Sequence, residues 1–80
     1  RQGILMPSNH ALTFVDCQGV HDAVRRHPGE TTTQLAGRFK FFKRTDVARR
    51  LNWLADNGYV VREIRKVDGR NSNVWRVMAP

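Results

Sequence analysis

The sequence predicts a small α+β domain with three helices and a two- to three-stranded antiparallel sheet. A stretch with helical periodicity, residues 43–57, ends at Asn57 and Gly58 and leads directly into a run of β-branched residues. Two earlier segments begin with helix-capping signals, and an Asp-Gly pair separates two strand-like runs near the carboxyl end. A chain of 80 residues that is 40% hydrophobic has room for one such domain.

The first predicted helix covers residues 13–27, and the predicted domain runs from there to residue 80. Thr13 is followed three residues later by Asp16, the spacing of a capping pair. The apolar side of this helix is formed by Cys17, Val20, Ala23 and Val24. Pro28 and Gly29 end it. Residues 1–12 have no clear period, and we expect an N-terminal arm that is disordered, packs on the domain or belongs to a preceding element.

The second predicted helix is short. Thr31 and Gln34 fit a capping box, and a small strand at 30–32 is expected just before the helix. The apolar residues of this helix are Leu35, Ala36 and Phe39. The connection that follows contains Phe41 and Phe42, and we expect both rings to fill the core rather than to stack on bases.

The third predicted helix has an apolar side and a cationic side. Val47, Leu51 and Leu54 recur at spacings of four and three and are predicted to be core. The opposite side contains Thr45, Arg49, Asn52 and Asp56, and Arg49 is predicted to point most directly away from the core. A helix that must bury one side therefore presents a positive charge on the other.

A hairpin is predicted after the third helix. Its strands are residues 59–67 and 74–78, and Asp68 and Gly69 are a hairpin turn signal, here expected to be lengthened by residues 70–73. Trp75 and Val77 share a face of the return strand, which we predict to be the buried one.

The net positive charge comes entirely from one half of the chain. The formal net charge is +7 and the pI is about 11.1. Residues 1–37 have three basic and three acidic side chains, whereas residues 38–80 have eleven Lys or Arg against four acidic residues. Such segregation favours a polyanionic partner, and nucleic acid over an anionic membrane. No apolar run approaches the roughly 20 residues that span a bilayer. With a single cysteine, the composition fits a cytoplasmic protein.

The sequence gives little support to metal or enzyme chemistry. Cys17 and His21 are four apart, with His10 and His27 as possible additions, but structural zinc sites usually need four ligands in paired clusters. No group is placed to orient a Cys-His nucleophile, and no glycine-rich phosphate loop is present. We therefore expect no metal site, no cofactor and no enzymatic activity.

The predicted order of helix, short strand, helix, helix, strand and strand resembles the winged helix-turn-helix domain, and MarR-like and ArsR-like bacterial regulators in particular. The matching residues are 35–36 in the second helix, 45–51 in the third, Leu54 with 57–60 at its end, and 68–70 in the wing, and the resemblance covers about residues 16–78. The sequence shows no long dimerisation helix of the MarR-like kind. We expect an isolated domain to be monomeric, able to dimerise on DNA or through a parent protein.

The resemblance implies a DNA-binding surface, because in such domains the third helix enters the major groove and the wing touches the backbone or the minor groove. It assigns the reading helix to Lys43, Arg44, Thr45, Arg49 and Asn52, and the wing contacts to Arg65, Lys66, Arg70 and Asn71. These residue types suit the task independently of the family. Arg can donate two hydrogen bonds to guanine and Asn can pair similarly with adenine. Lys43 and Arg44 precede or open the third helix, where backbone N–H groups already favour a phosphate.

The expected function is therefore double-stranded DNA binding. The domain would serve a transcription regulator, nucleoid-associated if the protein is bacterial, or it would target a larger replication, recombination or mobile-element protein to DNA. Two alternatives stay open. One is a winged-helix module whose main partner is a protein, and the other is a module that binds structured RNA.

Overall fold

Helices and strands follow one another in the predicted order in a computed structural model that describes residues 12–78. The helices are α1 (Phe14–Arg26), α2 (Thr32–Ala36) and α3 (Arg44–Asp56). The strands are β1 (Glu30–Thr31), β2 (Val60–Val67) and β3 (Arg70–Val77). The predicted N-terminal arm lies outside the described residues except for Leu12, which packs against the core.

Each helix begins with the same local arrangement, in which a side chain accepts from the backbone three residues earlier. The Thr13 N–H donates to Asp16 Oδ2 at 2.8 Å, and the Thr31 N–H donates to Gln34 Oε1 at 2.9 Å. Both predicted capping pairs are confirmed. In α3 the Lys43 N–H donates to Asp46 Oδ2 at 2.9 Å. These bonds satisfy backbone donors that a helix start otherwise leaves without partners.

The core lies where the three helices meet one face of the sheet. The predicted stripe of α3 is confirmed, since Val47, Leu51 and Leu54 are all completely buried. They pack with residues of every other large element: Cys17, Val20, Val24, Leu35, Val60 and Trp75. Truncating a buried leucine in such a core typically costs about 2–5 kcal/mol, so this cluster supplies much of the stability of a small domain.

The sheet is antiparallel, with strand order β1-β3-β2. Its hairpin is tighter than predicted. Val67 pairs with Arg70, so Asp68 and Gly69 are the whole loop, and residues 70–73 belong to β3. The expected lengthening of the turn is wrong because Asp tolerates the left-handed backbone. With φ 51° at Asp68 and 81° at Gly69, both residues meet the requirement of a type I′ turn.

The two phenylalanines of the connection between α2 and α3 differ in burial. Phe42 packs against the core, with its ring centroid 5.5 Å from that of Phe39. Phe41 is 93% exposed, so the prediction that both rings fill the core is wrong for Phe41. In this connection the Phe42 ring packs inward and the adjacent Phe41 ring faces solvent.

The return strand buries side chains on both faces. Trp75 is buried and Val77 packs against the core, which confirms the predicted inner face. Val74, on the opposite face, is also buried, with 1% exposure. The alternation of the strand predicts only one buried face, so the burial of Val74 could not be predicted from it.

Candidate nucleic-acid interface

The outward face of α3 brings three predicted reading residues together. Thr45, Arg49 and Asn52 are exposed and line one shallow groove. The other residues of the groove are Leu12, Ala48, Trp53 and Asp56. The arrangement follows from spacings of four and three, which place side chains one above another on a helix. The groove therefore presents hydrogen-bonding groups and a guanidinium along one side of the helix.

Asn52 is held by a residue that the sequence reasoning missed. Arg62 Nη1 donates to Asn52 Oδ1 at 2.9 Å, and the Arg62 guanidinium lies 5.8 Å from the Trp75 ring centroid. A bidentate contact with adenine needs both the oxygen and the nitrogen of the Asn amide, so Arg62 would compete with the base for Oδ1. Arg62 follows Val60 by two residues on β2 and therefore lies on the same face of the sheet, the face toward the helices. This period of two is the signal from which its position could have been predicted.

Arg44 joins the start of α3 to α2. Its Nε donates to Thr33 Oγ1 at 3.0 Å. Arg44 also lines a cleft of about 790 Å³ between α2 and the tip of the β2–β3 hairpin. The other lining residues are almost all polar: Thr31, Thr32, Thr33, Gln34, Val67, Asp68, Arg70, Asn71, Ser72 and Asn73. One cleft therefore unites Arg44 with two of the residues predicted for the wing, Arg70 and Asn71.

The strand register divides the four predicted wing residues between the two faces of the hairpin. Lys66 pairs with Asn71, on the face shared with Arg62 and Trp75 and hence with α3. The other two, Arg65 and Arg70, lie on the opposite face. The four predicted wing residues therefore do not lie on a single face of the hairpin.

Arg65 is directed away from the cleft. A Cβ at Gly29 would lie 3.7 Å from Arg65 Nη1 and 3.6 Å from Arg76 Nη2, so both guanidinium groups reach the turn before β1. Arg76 also forms an ion pair with Glu63, with Nε and Oε1 3.0 Å apart. Arg65 thus reaches the turn before β1 and is not among the residues that line the cleft with Arg70 and Asn71.

The start of α3 is already occupied by a carboxylate. Asp46 accepts from the Lys43 N–H, where a phosphate was expected to bind. Lys43 itself is exposed and precedes the helix. A phosphate at this point would meet the Lys43 ammonium and the repulsion of Asp46, so the expected backbone site depends on the side chains of Lys43 and Arg44 more than on the helix terminus.

Several carboxylates are neutralised away from the α3 face. Asp22 forms ion pairs with Arg25 and Arg26 on α1. Glu30 accepts from Arg38, with Oε1 and Nε 2.9 Å apart, and this hydrogen bond holds the pKa of Glu30 below its ordinary value. By contrast, the cations of the hairpin tip, Lys66 and Arg70, form no ion pair within residues 12–78. The cleft itself is lined by two cations, Arg44 and Arg70, and one carboxylate, Asp68.

The guanidinium group of Arg50 contacts other elements of the fold. Its Nε donates to the Asp16 carbonyl and its Nη1 to the Asp46 carbonyl, each at 3.2 Å. The guanidinium also lies 4.3 Å from the Phe42 ring centroid, within the range of a cation–π contact. Arg49 and Arg50 are thus adjacent in sequence but differ in surroundings, one lining the outer groove and the other linking α1, α3 and the preceding connection.

Among residues 12–78, no three His, Cys, Asp or Glu side chains are grouped so that they could hold a metal ion. None of the helices in this part of the chain has the length and apolar character needed to cross a bilayer. His10, one of the histidines considered as a ligand, lies outside the described residues. A comparison with protein-family models gives no match, and a search of curated proteins gives no significant one.

Proposed function

We propose that this chain binds double-stranded DNA as a winged helix-turn-helix domain, with α3 in the major groove and the β2–β3 hairpin as the wing. Three helices and a three-stranded antiparallel sheet in the observed order are compatible with that layout. The principal observation is one cleft whose lining includes both Arg44, at the start of α3, and Arg70 and Asn71 at the hairpin tip. A helix and a wing that face one cleft can contact one duplex at the same time.

The charge distribution supports the same partner. Residues 38–80 account for the whole net charge of +7, and they contain α3 and the hairpin. Arg49 and Thr45 on the outer face of α3 would contact base edges, while Arg44, Lys66 and Arg70 would contact phosphates. In this role the domain would serve a transcription regulator, or target a larger replication or mobile-element protein to its DNA.

The proposal is tested by fluorescence anisotropy with a duplex, a single strand of the same sequence and an RNA hairpin, each at several salt concentrations. We expect the duplex to bind most tightly and its affinity to fall steeply with salt. If Arg44, Lys66 and Arg70 each neutralise one phosphate, the slope of log K against log salt is about −2.7, since each phosphate contributes roughly 0.9. A preference for the RNA hairpin, or tight binding of an acidic protein without any duplex binding at low salt, would contradict the proposal.

A further inference from the structure

Phe41 is the most exposed large hydrophobic side chain of residues 12–78. Its exposure is 93%, against 76% for Val15 and 72% for Ile64. A single exposed apolar residue is common and by itself needs no explanation. Two further features distinguish Phe41: the way its backbone is held, and the charges beside it.

The connection that contains Phe41 is anchored on both sides of it. Phe39 and Phe42 pack against the core and against each other, and Arg50 lies over the Phe42 ring. The backbone at Phe41 is therefore fixed by its neighbours, and the ring has only two side-chain torsions to order on binding. An aromatic side chain presented in this way loses little entropy when it meets a partner.

Cations flank Phe41 in the sequence. Lys40, Lys43 and Arg44 are exposed, and neither lysine forms an ion pair within residues 12–78. A flat apolar ring among unpaired cations matches a partner that presents flat rings beside negative charges. Nucleic acid has this chemistry wherever a base is free of its stack, with phosphates on either side.

We propose that Phe41 stacks on an unpaired or unstacked base while Lys40 and Lys43 contact the neighbouring phosphates. The inference rests on the proposed function and extends it: the preferred substrate is a duplex that contains an accessible base, as at a bulge, an overhang or a junction with a single strand. Stacking of this kind is tolerant of sequence, because every base has a π face. It adds affinity beyond that which α3 and the hairpin provide on a continuous duplex.

The test compares a continuous duplex with the same duplex containing one unpaired 2-aminopurine. We expect the 80-residue protein to bind the bulged duplex about 5- to 150-fold more tightly, the range that corresponds to stacking one base. Phe41→Leu should abolish this preference and leave binding of the continuous duplex unchanged, while Phe41→Trp should retain it. The 2-aminopurine fluorescence should be quenched by the wild-type protein and by Phe41→Trp, and not by Phe41→Leu.

Val15→Ala is the control. It truncates an exposed apolar side chain elsewhere in the domain, on α1, and should leave the affinities for the continuous and the bulged duplex unchanged. Equal binding of the bulged duplex by the wild type and Phe41→Leu would overturn the inference and leave duplex binding intact. Failure to bind either duplex would overturn both this inference and the proposed function.

Discussion

Thr32 is the buried polar side chain of the described core, and it has a specific partner. Its exposure is 7%, and its Oγ1 accepts from Trp75 Nε1 at 2.9 Å. Thr32→Val keeps the shape of the side chain but leaves the buried indole N–H without an acceptor. We expect the free energy of unfolding in urea to fall by about 1–3 kcal/mol.

Thr45→Val is the matched control, because it makes the same chemical change on the exposed face of α3. Surface substitutions of this kind usually stay within about 0.5 kcal/mol. Equal stability of the two variants would mean that the indole N–H does not depend on Thr32.

Distance along the chain separates the residue contacts that could be predicted from those that could not. The capping pairs Thr13 with Asp16 and Thr31 with Gln34 lie three residues apart, so their spacing identifies them. Thr32 and Trp75 are 43 residues apart, and no local pattern connects them. Such a contact depends on the packing of α2 against the sheet.

At the scale of the elements, Arg50 links α1 and α3. It donates to the carbonyl of Asp16 in α1 and covers the Phe42 ring. Arg50→Ala should therefore reduce the free energy of unfolding by about 1–3 kcal/mol, through loss of two hydrogen bonds and a cation–π contact.

The comparison for Arg50→Ala is Arg70→Ala. Arg70 forms no ion pair within residues 12–78, and its removal should change stability by less than about 0.5 kcal/mol. Chemical denaturation of both variants distinguishes the roles. A similar loss for the two would show that Arg50 does not join the helices.

The elements themselves were largely predictable, and their relative orientation was not. Periodicity placed α3 and its buried stripe correctly because both depend on spacing within one helix. Which residues share a face of the hairpin depends on the strand register. The longer turn that was expected implies a different register. With a two-residue loop, Lys66 and Asn71 lie opposite Arg65 and Arg70, a division that follows only from the pairing of Val67 with Arg70.

For the whole molecule, the charge asymmetry of the sequence indicated the half that contains the candidate interface. Proximity in three dimensions was needed for the rest. The cleft lined by both Arg44 and Arg70 and the hydrogen bond from Arg62 to Asn52 depend on contacts between elements. Composition could indicate a polyanion as partner, but it could not identify which cations form one surface.

The central claim, that α3 reads bases and the hairpin holds the backbone, is tested most directly by comparing Arg49→Ala with Arg70→Ala. Both would be titrated against a selected duplex and against duplexes varied at one base pair, at two salt concentrations. Arg25→Ala on α1 removes the same charge from the other half of the chain and is the control.

We expect Arg49→Ala to lose about 1–3 kcal/mol of binding free energy on the selected duplex and to relax the choice at one base pair. Arg70→Ala should weaken all duplexes alike and reduce the salt slope by about one unit, while Arg25→Ala should bind as the wild type does. If Arg49→Ala weakens binding to every duplex equally, α3 contacts only the DNA backbone. If neither Arg49→Ala nor Arg70→Ala differs from Arg25→Ala, the DNA does not bind at this surface.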